Sequence, residues 1–489
     1  MRKYIICFII VPFIFISCND NFLDEDPSTK IGSGKLWKTQ SDVELGLTGC
    51  YSRLKGSYIT YTRSYLDASV DNAYALHIND AKLMQVGVLS KSSPGIAYLI
   101  YSAAYRGIAT CNDFLKKVKQ VDLPPADAKQ YEAEARFLRA FFYNELVQRF
   151  GGVVIYREIP ITLEGLKLPR SSQEQVYELI SEDLDFAIIN LPNVAYGEGH
   201  TVQSSALALK ARVALFRGQW DEVASITKEI IEPQNSTPLY QLAQDLESQF
   251  IKGKGQKSCP EIIFSIKYTE DISGRQSNDG GQEVEFFHWS GIQPTADLMN
   301  EYDLNDKRRS EWYFQPVGAT GYLRPNGKIY EVEGPLLTGW GLLKFLAKED
   351  DRRYIANPRD ILTGHDVVLI RLTDIMLMYA EAMVEKEGGS TSDVLAIKCI
   401  NDIRKRAGVS HDFTTITRQQ VRKERRIELA FEGFRHFDVV RWEIGDQIKN
   451  KTIYGNVKLG WEDHFYLWPF SQSEENINTN IKGNNNPNY

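Results

Sequence analysis

The stretch of chain that decides the fold class is ALALKARVALFRGQWDEVASITKEII, residues 206–231. Its first half carries small alanine side chains at helical spacing, which predicts a helix packed closely on a neighbour, and Gly218 ends that helix. A second segment begins near Trp220 and places apolar side chains on one face: Val223, Ala224, Ile226 and Ile230. Two short helices joined at a glycine predict a helical hairpin.

A second hairpin of this kind is predicted nearer the C-terminal end. It comprises RLTDIMLMYAEAMVEKEGG (371–389) and DVLAIKCINDIRKRAG (393–408). Both hairpins resemble tetratricopeptide repeats, whose units bury their faces only by stacking on one another. With two more degenerate copies, the sequence predicts a mainly α-helical protein built on a scaffold of about four such hairpins.

Two further helices are predicted ahead of these hairpins. The stretch YEAEARFLRAFFYNELVQRF (131–150) puts phenylalanine and leucine on one face at i, i+4 spacing, and Gly151 with Gly152 ends it. A predicted capping box, Ser171 to Glu174, opens the next helix.

Helical periodicity fades between residues 232 and 365, where Gly and Pro are frequent and short β-like runs such as EIIFSIKY (261–268) appear. We interpret this region as a loop-rich, partly β subdomain inserted between the hairpins, because loops on a rigid scaffold commonly carry binding residues. The predicted organisation is an N-terminal helical region (36–231), the inserted ligand-binding subdomain (232–365) and a C-terminal helical region (366–489).

The first residues predict export and a lipid anchor. A positively charged start precedes an apolar run, residues 4–16, which is shorter than the roughly twenty residues that a membrane-spanning helix needs. The run leads to Cys18, and a polar, acidic segment follows at once. This pattern resembles a bacterial lipoprotein signal, so we expect residues 1–17 to be removed, Cys18 to carry lipid, and residues 18–35 to form a tether. The alternative is an apolar core helix.

Four cysteines lie beyond the predicted lipidation site: Cys50, Cys111, Cys259 and Cys399. They are too dispersed for a CxxC redox or zinc pattern. We expect buried free thiols, with a disulfide as the alternative.

Composition and motifs argue against several classes of function. The 489 residues include 57 basic and 64 acidic side chains, for a formal net charge of −7, whereas a nucleic-acid-binding protein usually has a basic surface. The sequence contains no HExxH pair, no GxSxG nucleophile elbow, no Walker A loop and no strand–GxGxxG–helix fingerprint. We therefore predict a protein that is not an enzyme and that uses no cofactor and no metal, although a glycosidase-like pair of carboxylates stays open.

Aromatic residues make up 11% of the chain, which includes 25 Tyr and 8 Trp. Sugar rings lay apolar C–H faces on aromatic rings, while their hydroxyls need short polar partners. The segment YITYTRSYLDASVDNAYALHIN (58–79) has that mixture, and three tryptophans lie in Gly- and Pro-rich segments. The candidate glycan-binding residues are Tyr58, Asp71, Asn72, Tyr74, His77, Trp289, Trp312 and Trp340. For each of them, ordinary packing or turn chemistry is the alternative.

The segment 417–446 alternates arginine with glutamate. Its arginines could suggest capture of an anion. Alternating charges on one helix more often form solvated or networked ion pairs, and we expect such pairs here.

Several stretches together resemble the SusD/RagB family of Bacteroidetes outer-membrane nutrient-binding lipoproteins. The likeness covers nearly the whole chain and rests on the order of these stretches: CNDNFLDEDPSTK (18–30), AEARFLRAFFYNELVQRFGGVVI (133–155), TVQSSALALKARVALFRGQWDEV (201–223), YDLNDKRRSEW (302–312), IRLTDIMLMYAEA (370–382), INDIRKRAGV (400–409), RKERRIELAFEGFRHFDVVRW (422–442) and FYLWPFSQSEENINTNIKGNNNPNY (465–489). The resemblance implies four tetratricopeptide-like hairpins that support an irregular ligand-binding subdomain. It further implies a cell-surface lipoprotein of the outer membrane that captures oligosaccharides without catalysis and passes them to a SusC-like TonB-dependent transporter.

Three other functions stay open at this point. The same scaffold could capture peptides, as the RagB-like side of the resemblance implies, although the tryptophan-bearing loops favour sugars. A secreted glycoside hydrolase would need a catalytic pair of carboxylates. A purely structural repeat adaptor would bind a protein partner and no small ligand.

Overall fold

The computed structural model describes residues 37–489 except 56–64, 78–79, 235, 252–254, 269–289, 318–321, 324–329, 332–334, 347–352, 355–360 and 363. Helices dominate the described residues, and the strands are short, so the predicted mainly α-helical fold is confirmed. No helix in these ranges has both the length and the apolar character that crossing a membrane requires.

The α-helices of the described residues are α1 (Gln40–Ser52), α2 (Asp80–Gln85), α3 (Ile96–Lys117), α4 (Pro125–Phe150), α5 (Gln173–Asn190), α6 (Gln203–Phe216), α7 (Trp220–Ile231), α8 (Glu247–Phe250), α9 (Ala296–Glu301), α10 (Leu372–Lys386), α11 (Val394–Arg406), α12 (Arg418–Glu428), α13 (Arg435–Arg441), α14 (Gly445–Ile448) and α15 (Gln472–Ile477). Short 3-10 turns cover Arg53–Lys55, Leu66–Ser69, Val118–Gln120, Glu164–Leu166, Gln256–Ser258, Asp463–Tyr466 and Thr479–Ile481, and a π-helical turn covers Arg308–Trp312.

The strands are β1 (Ala73–Ala75), β2 (Ile262–Ile266), β3 (Ile292–Pro294), β4 (Phe314–Pro316), β5 (Tyr322–Leu323), β6 (Tyr330–Glu331), β7 (Trp340–Leu342), β8 (Arg353–Tyr354), β9 (Ile361–Leu362), β10 (Val367–Arg371), β11 (Ser390–Thr391), β12 (Ile416–Thr417), β13 (Thr452–Tyr454) and β14 (Val457–Lys458). Within the described residues they form antiparallel pairs: β1–β3, β2–β10, β4–β7, β5–β6, β8–β9, β11–β12 and β13–β14.

The predicted hairpin at 206–231 is confirmed as α6 and α7. Gly218 adopts a positive φ of 67°, a conformation that glycine reaches without steric cost, and α7 begins two residues later at Trp220. The inner face of α7 buries Val223 and Ile230, as the spacing predicts. The second predicted hairpin is α10 and α11, which also pack on each other.

The helices stack as the repeat pattern implies. Each helix from α3 to α7 packs on the next, and α7 then packs directly on α10. The whole loop-rich region lies between α7 and α10 in sequence, so it is an insertion between stacked hairpins. Inside it, β2 pairs with β10, the strand that leads into α10, and Ile266 lies opposite Val367. The β-like run at 261–268 therefore forms a strand that ties the loop-rich region to the start of α10.

The predicted capping box is wrong by one residue. The box is formed by Ser172, whose hydroxyl accepts the N–H of Gln175 at 3.2 Å, while the side-chain oxygen of Gln175 accepts the N–H of Ser172 at 2.9 Å. Ser171 cannot serve as the cap because its N–H donates to the carbonyl of Val153 at 3.0 Å, which holds it in the preceding connection. The expectation for the cysteines is confirmed, since the four described cysteines are free and buried.

The C-terminal half of the charged helix α12 is buried, and its charges form networked ion pairs, one of the two forms that the alternating sequence predicts. Glu428, fully buried, accepts hydrogen bonds from Arg308 at 2.7 Å, from Arg371 at 2.9 Å and from Arg406 at 2.9 Å. Burial alone would raise the pKa of Glu428, but the three guanidinium groups hold it far below its usual range. Since the arginines lie on the π-helical turn, the end of β10 and the end of α11, one carboxylate joins the insertion to the helical scaffold.

Replacing this carboxylate should destabilise the whole protein. Glu428→Gln removes the one carboxylate that all three arginines share and leaves each with one buried acceptor fewer. We therefore expect the free energy of unfolding to fall by about 3 kcal/mol or more, measured by urea denaturation. Glu229→Gln on the exposed side of α7 is the matched control and should change it by less than about 0.5 kcal/mol. Equal, small effects of both substitutions would contradict the account.

Candidate functional site

Four of the eight predicted site residues lie on or next to two pairs of short strands, of which the first is a two-stranded sheet. β1 pairs with β3, and Tyr74 lies opposite Gln293. The pairing continues past β1, because the N–H of Leu76 donates to the carbonyl of Gly291 at 2.8 Å. The polar segment near residue 74 and the chain that follows residue 289 therefore lie side by side, although they are far apart in sequence.

Gln293 also links this sheet to Trp340. Its side-chain amide donates to the carbonyl of Pro335 at 2.8 Å, and its side-chain oxygen accepts the N–H of Thr338 at 3.1 Å. Strand β7 starts immediately afterwards and pairs with β4, where Pro316 lies opposite Trp340. These hydrogen bonds fix β7, and with it the backbone of Trp340, against the β1–β3 sheet.

The two described tryptophans of the predicted set each have a cation over the ring. The Arg309 guanidinium lies 4.7 Å from the ring centroid of Trp340, and the Lys307 ammonium lies 5.3 Å from that of Trp312. Cation–π contacts of this kind hold a ring in place. Both rings are half-buried, so each keeps part of its surface open to solvent. Fixed aromatic rings beside hydrogen-bond donors are what a sugar ring needs.

Tyr74 also has a cation over its ring, but its side chain is more deeply buried than those of the two tryptophans. Its ring lies 5.1 Å from the ring of Tyr454, and the Lys82 ammonium lies 4.4 Å from its centroid. Burial, and then Tyr454, raise the pKa of Tyr74, so its hydroxyl stays protonated at neutral pH. His77, three residues later, is exposed. We name this surface the tryptophan face, and its members are Tyr74, His77, Lys82, Arg309, Trp312 and Trp340.

Asp71 and Asn72 lie beneath this face rather than on it. Both are fully buried. The carboxylate of Asp71 accepts two hydrogen bonds from Arg435, at 2.9 and 3.0 Å, and one from Lys451 at 3.0 Å. Burial alone would raise the pKa of Asp71, but Arg435, Arg426 and Lys451 hold it well below its usual range.

The Asn72 side chain is equally engaged. Its amide donates to Asp67 at 2.6 Å, and its oxygen accepts from Arg426 at 2.9 Å. Asp67 also accepts the backbone N–H groups of Phe431 at 3.3 Å and Gly433 at 3.2 Å. In this arrangement the two polar residues anchor the segment that carries Tyr74 to the C-terminal helices.

Cys18, Tyr58 and Trp289 lie outside the described residues. The binding role of all eight candidate residues stays a prediction, as does lipidation of Cys18. Three residues of the site were missed at the sequence level: Lys82, Gln293 and Arg309. Their contributions depend on the β1–β3 pairing and on ring contacts, and no local pattern indicates either one.

Two family models match the chain, one toward each end. A family model described as "SusD family" matches residues 322–489, and one described as "Starch-binding associating with outer membrane" matches residues 21–215. The starch-binding protein SusD of Bacteroides thetaiotaomicron is 32% identical over 435 aligned residues, which cover 77% of this chain and 76% of that protein. The chain belongs to the SusD/RagB family.

Other relatives extend the match along the chain. SusD-like protein P38 of Formosa agariphila is 25% identical over 494 aligned residues, covering 93% of this SusD/RagB protein and 92% of the relative. A solved structure of a laminarin-binding SusD-like protein superimposes with a TM-score of 0.77 at 23% identity, covering 92% of this chain and all of that one. At that identity the superposition supports the fold.

A buried histidine supports the turn that precedes β1 and makes it sensitive to pH. The ring of His436 lies 3.0 Å from the hydroxyl of Ser69, and burial, followed by the charge of Arg149, lowers its pKa to about 3 from 6.5. The unfolded chain therefore binds a proton below about pH 6.5 that the folded protein does not bind. The contribution of His436 to the free energy of unfolding is therefore fully present above about pH 6.5 and is lost as the pH falls below that value.

The His436→Gln variant tests this dependence. We expect the difference in unfolding free energy between the natural protein and the variant to be largest near pH 7.5 and to shrink by about 2 kcal/mol near pH 5, measured by urea denaturation. Because both proteins keep every other titrating group, their contributions largely cancel in the difference. A difference that stays constant across this range would show that His436 titrates normally in the folded protein.

Proposed function

We propose that this SusD/RagB protein is a cell-surface lipoprotein that captures oligosaccharides on the tryptophan face and delivers them to a SusC-like TonB-dependent transporter, without catalysing their cleavage. The observation that carries the proposal is the pair of half-buried tryptophans, each with a cation over its ring. Trp340 lies on the β4–β7 pair that Gln293 links to the β1–β3 sheet, and Trp312 lies in the turn before β4. Membership of the family supports it, because a curated relative is named a starch-binding protein.

The geometry suits capture better than tight binding. An aromatic ring offers a sugar an apolar plate on the side that its cation leaves open. The Arg309 and Lys82 cations over the rings and the exposed His77 offer polar groups on the same surface. A shallow face with a few rings gives weak affinity, near the millimolar dissociation constant that corresponds to about −4 kcal/mol. Weak binding lets a captured sugar leave for the transporter.

Trp340→Ala should weaken binding of the cognate oligosaccharide by about tenfold, because it removes the plate against which the sugar packs. The measurement is calorimetric titration of the purified protein with plant, host and microbial oligosaccharides, with the sugar analysed for cleavage afterwards. Trp220→Ala on α7 is the matched control, since Trp220 is also half-buried but lies in the scaffold. An unchanged affinity in Trp340→Ala would reject this face as the site.

The same titration separates the remaining functions. If no glycan binds and peptides do, the protein captures peptides instead. Recovery of shortened sugar would identify a hydrolase. Uncleaved sugar with saturable binding supports the proposed capture role.

Cys18→Ala tests the anchor and the partnership together. The variant should shift from the outer-membrane fraction to the soluble fraction, because the acyl chains supply about 0.8 kcal/mol per buried CH₂ group. Affinity purification of the natural protein from detergent-solubilised outer membranes should recover a TonB-dependent transporter. Retention of Cys18→Ala in the membrane fraction, with no transporter recovered, would contradict both parts of the proposal.

A further inference from the structure

Two adjoining cavities open along α3, on elements that contribute nothing to the tryptophan face. One has a volume of about 470 Å³ and is bounded by α3, the connection after residue 155 and α15. The other has a volume of about 320 Å³ and is bounded by the C-terminal half of α3, α4 and the same connection. Asn112 and Glu158 line both cavities, so the two are parts of one composite site.

The larger cavity is lined by four tyrosines: Tyr98, Tyr101, Tyr105 and Tyr156. Tyr101 and Tyr105 lie with ring centroids 4.7 Å apart, and Tyr105 and Tyr156 lie 5.8 Å apart. The Tyr105 hydroxyl donates to the carbonyl of Val154 at 2.7 Å, which holds its ring in place. Tyr98 is 44% exposed at the margin. The cavity is therefore a preformed aromatic pocket of the size that small-molecule sites have.

Polar groups accompany these rings. Glu474 is half-buried in the cavity wall, and burial raises its pKa while a hydrogen bond with Tyr101 opposes that rise. Asn112 is fixed, because its amide donates to the carbonyl of Tyr156 at 2.7 Å and its oxygen accepts from Arg139 at 2.8 Å. A sugar ring in this pocket would meet both an aromatic plate and hydrogen-bond partners for its hydroxyls.

The smaller cavity is lined mainly by cations: Lys116, Lys119, Arg136, Arg139 and Arg157. Two of them are neutralised, since Arg139 donates twice to Asp183, at 2.7 and 2.8 Å, and Arg136 donates to Glu132 at 2.6 Å.

The other cations are available to a ligand. Lys116 and Lys119 are exposed and form no ion pair with any residue that the structure describes. Arg157 pairs with Glu182 at 2.6 Å, but both side chains are 54% exposed, so an anion can compete for this guanidinium. One exposed carboxylate, Glu158, also lines the cavity, so the unpaired lysines outnumber it and favour a negatively charged ligand on their side.

We propose that this composite site binds an acidic oligosaccharide, with a sugar ring against Tyr98 and its neighbours and a carboxylate or sulfate group against Lys116 and Lys119. A neutral sugar would leave the cations unused, and a purely apolar ligand would use neither the cations nor Glu474. The site is separate from the proposed capture face, with which it shares no residue.

The test uses the full-length protein in detergent and three probes: a trimer of galacturonate, a sulfated carrageenan trisaccharide and neutral galactotriose. Both acidic probes, or one of them, should bind by calorimetry at least about tenfold more tightly than the neutral one. The preference should shrink as sodium chloride rises from about 0.05 M to about 0.5 M. Binding of only one acidic probe identifies the anionic group as carboxylate or as sulfate.

Variants locate the binding. We expect the affinity for the acidic probe to fall by about tenfold in the double variant Lys116→Ala with Lys119→Ala. We expect a fall of the same size in the single variant Tyr98→Ala. All three residues are exposed, so the variants are expected to fold. The control variant Lys228→Ala with Lys405→Ala removes two positive charges from exposed sites elsewhere, and it should leave the affinity for the acidic probe unchanged. Trp340→Ala should also leave this affinity intact, which distinguishes the site from the capture face.

Three results would overturn the proposal. One is the failure of both acidic probes to bind at about 10 mM, beyond the millimolar affinities expected of such a site. The second is equal affinity for the acidic and neutral probes. The third is an affinity for the acidic probe that is unchanged in both the double lysine variant and Tyr98→Ala.

Discussion

The rest of the structure depends on a single buried carboxylate, Glu428, shared by three arginines. A lone carboxylate at this depth would be strongly unfavourable, and without it each of the three guanidinium groups would lose one of its buried acceptors. The arginines come from the insertion, from the strand that closes it and from the hairpin behind it. Each element is therefore held in the one arrangement that satisfies all of these charges together.

A second group of buried charges extends this constraint to the tryptophan face. Asp71 and Asn72 are bound by Arg426, Arg435 and Lys451, which belong to the C-terminal part of the chain. The segment bearing Tyr74 is thereby fixed from below, and its pairing with β3 positions Trp340 through Gln293. The tryptophan face is assembled from short strands and loops, and it gains its rigidity from ion pairs beneath it rather than from a large sheet.

Sequence periodicity predicted the scaffold because the buried face of a helix is determined by residues three and four positions apart in the same segment. Gly218 and the apolar face of α7 are within one hairpin, and the structure confirms both. The site was harder to predict. Asp71 looks like a sugar ligand by its neighbours in sequence, yet its partners lie hundreds of residues away, so its burial could not be read from its own segment. The predicted capping box was one residue too early, because the backbone N–H of Ser171 already donates to the carbonyl of Val153.

The measurement that tests the central claim most directly is hydrogen exchange by mass spectrometry, with and without a neutral oligosaccharide that saturates the protein. We predict slower exchange in 73–77, 290–294 and 335–342, which are brought together by the β1–β3 pairing and by Gln293. Exchange in α6 and α7 should not change. Protection confined to other parts of the chain, or spread evenly along the helices, would contradict the claim that this surface captures the sugar.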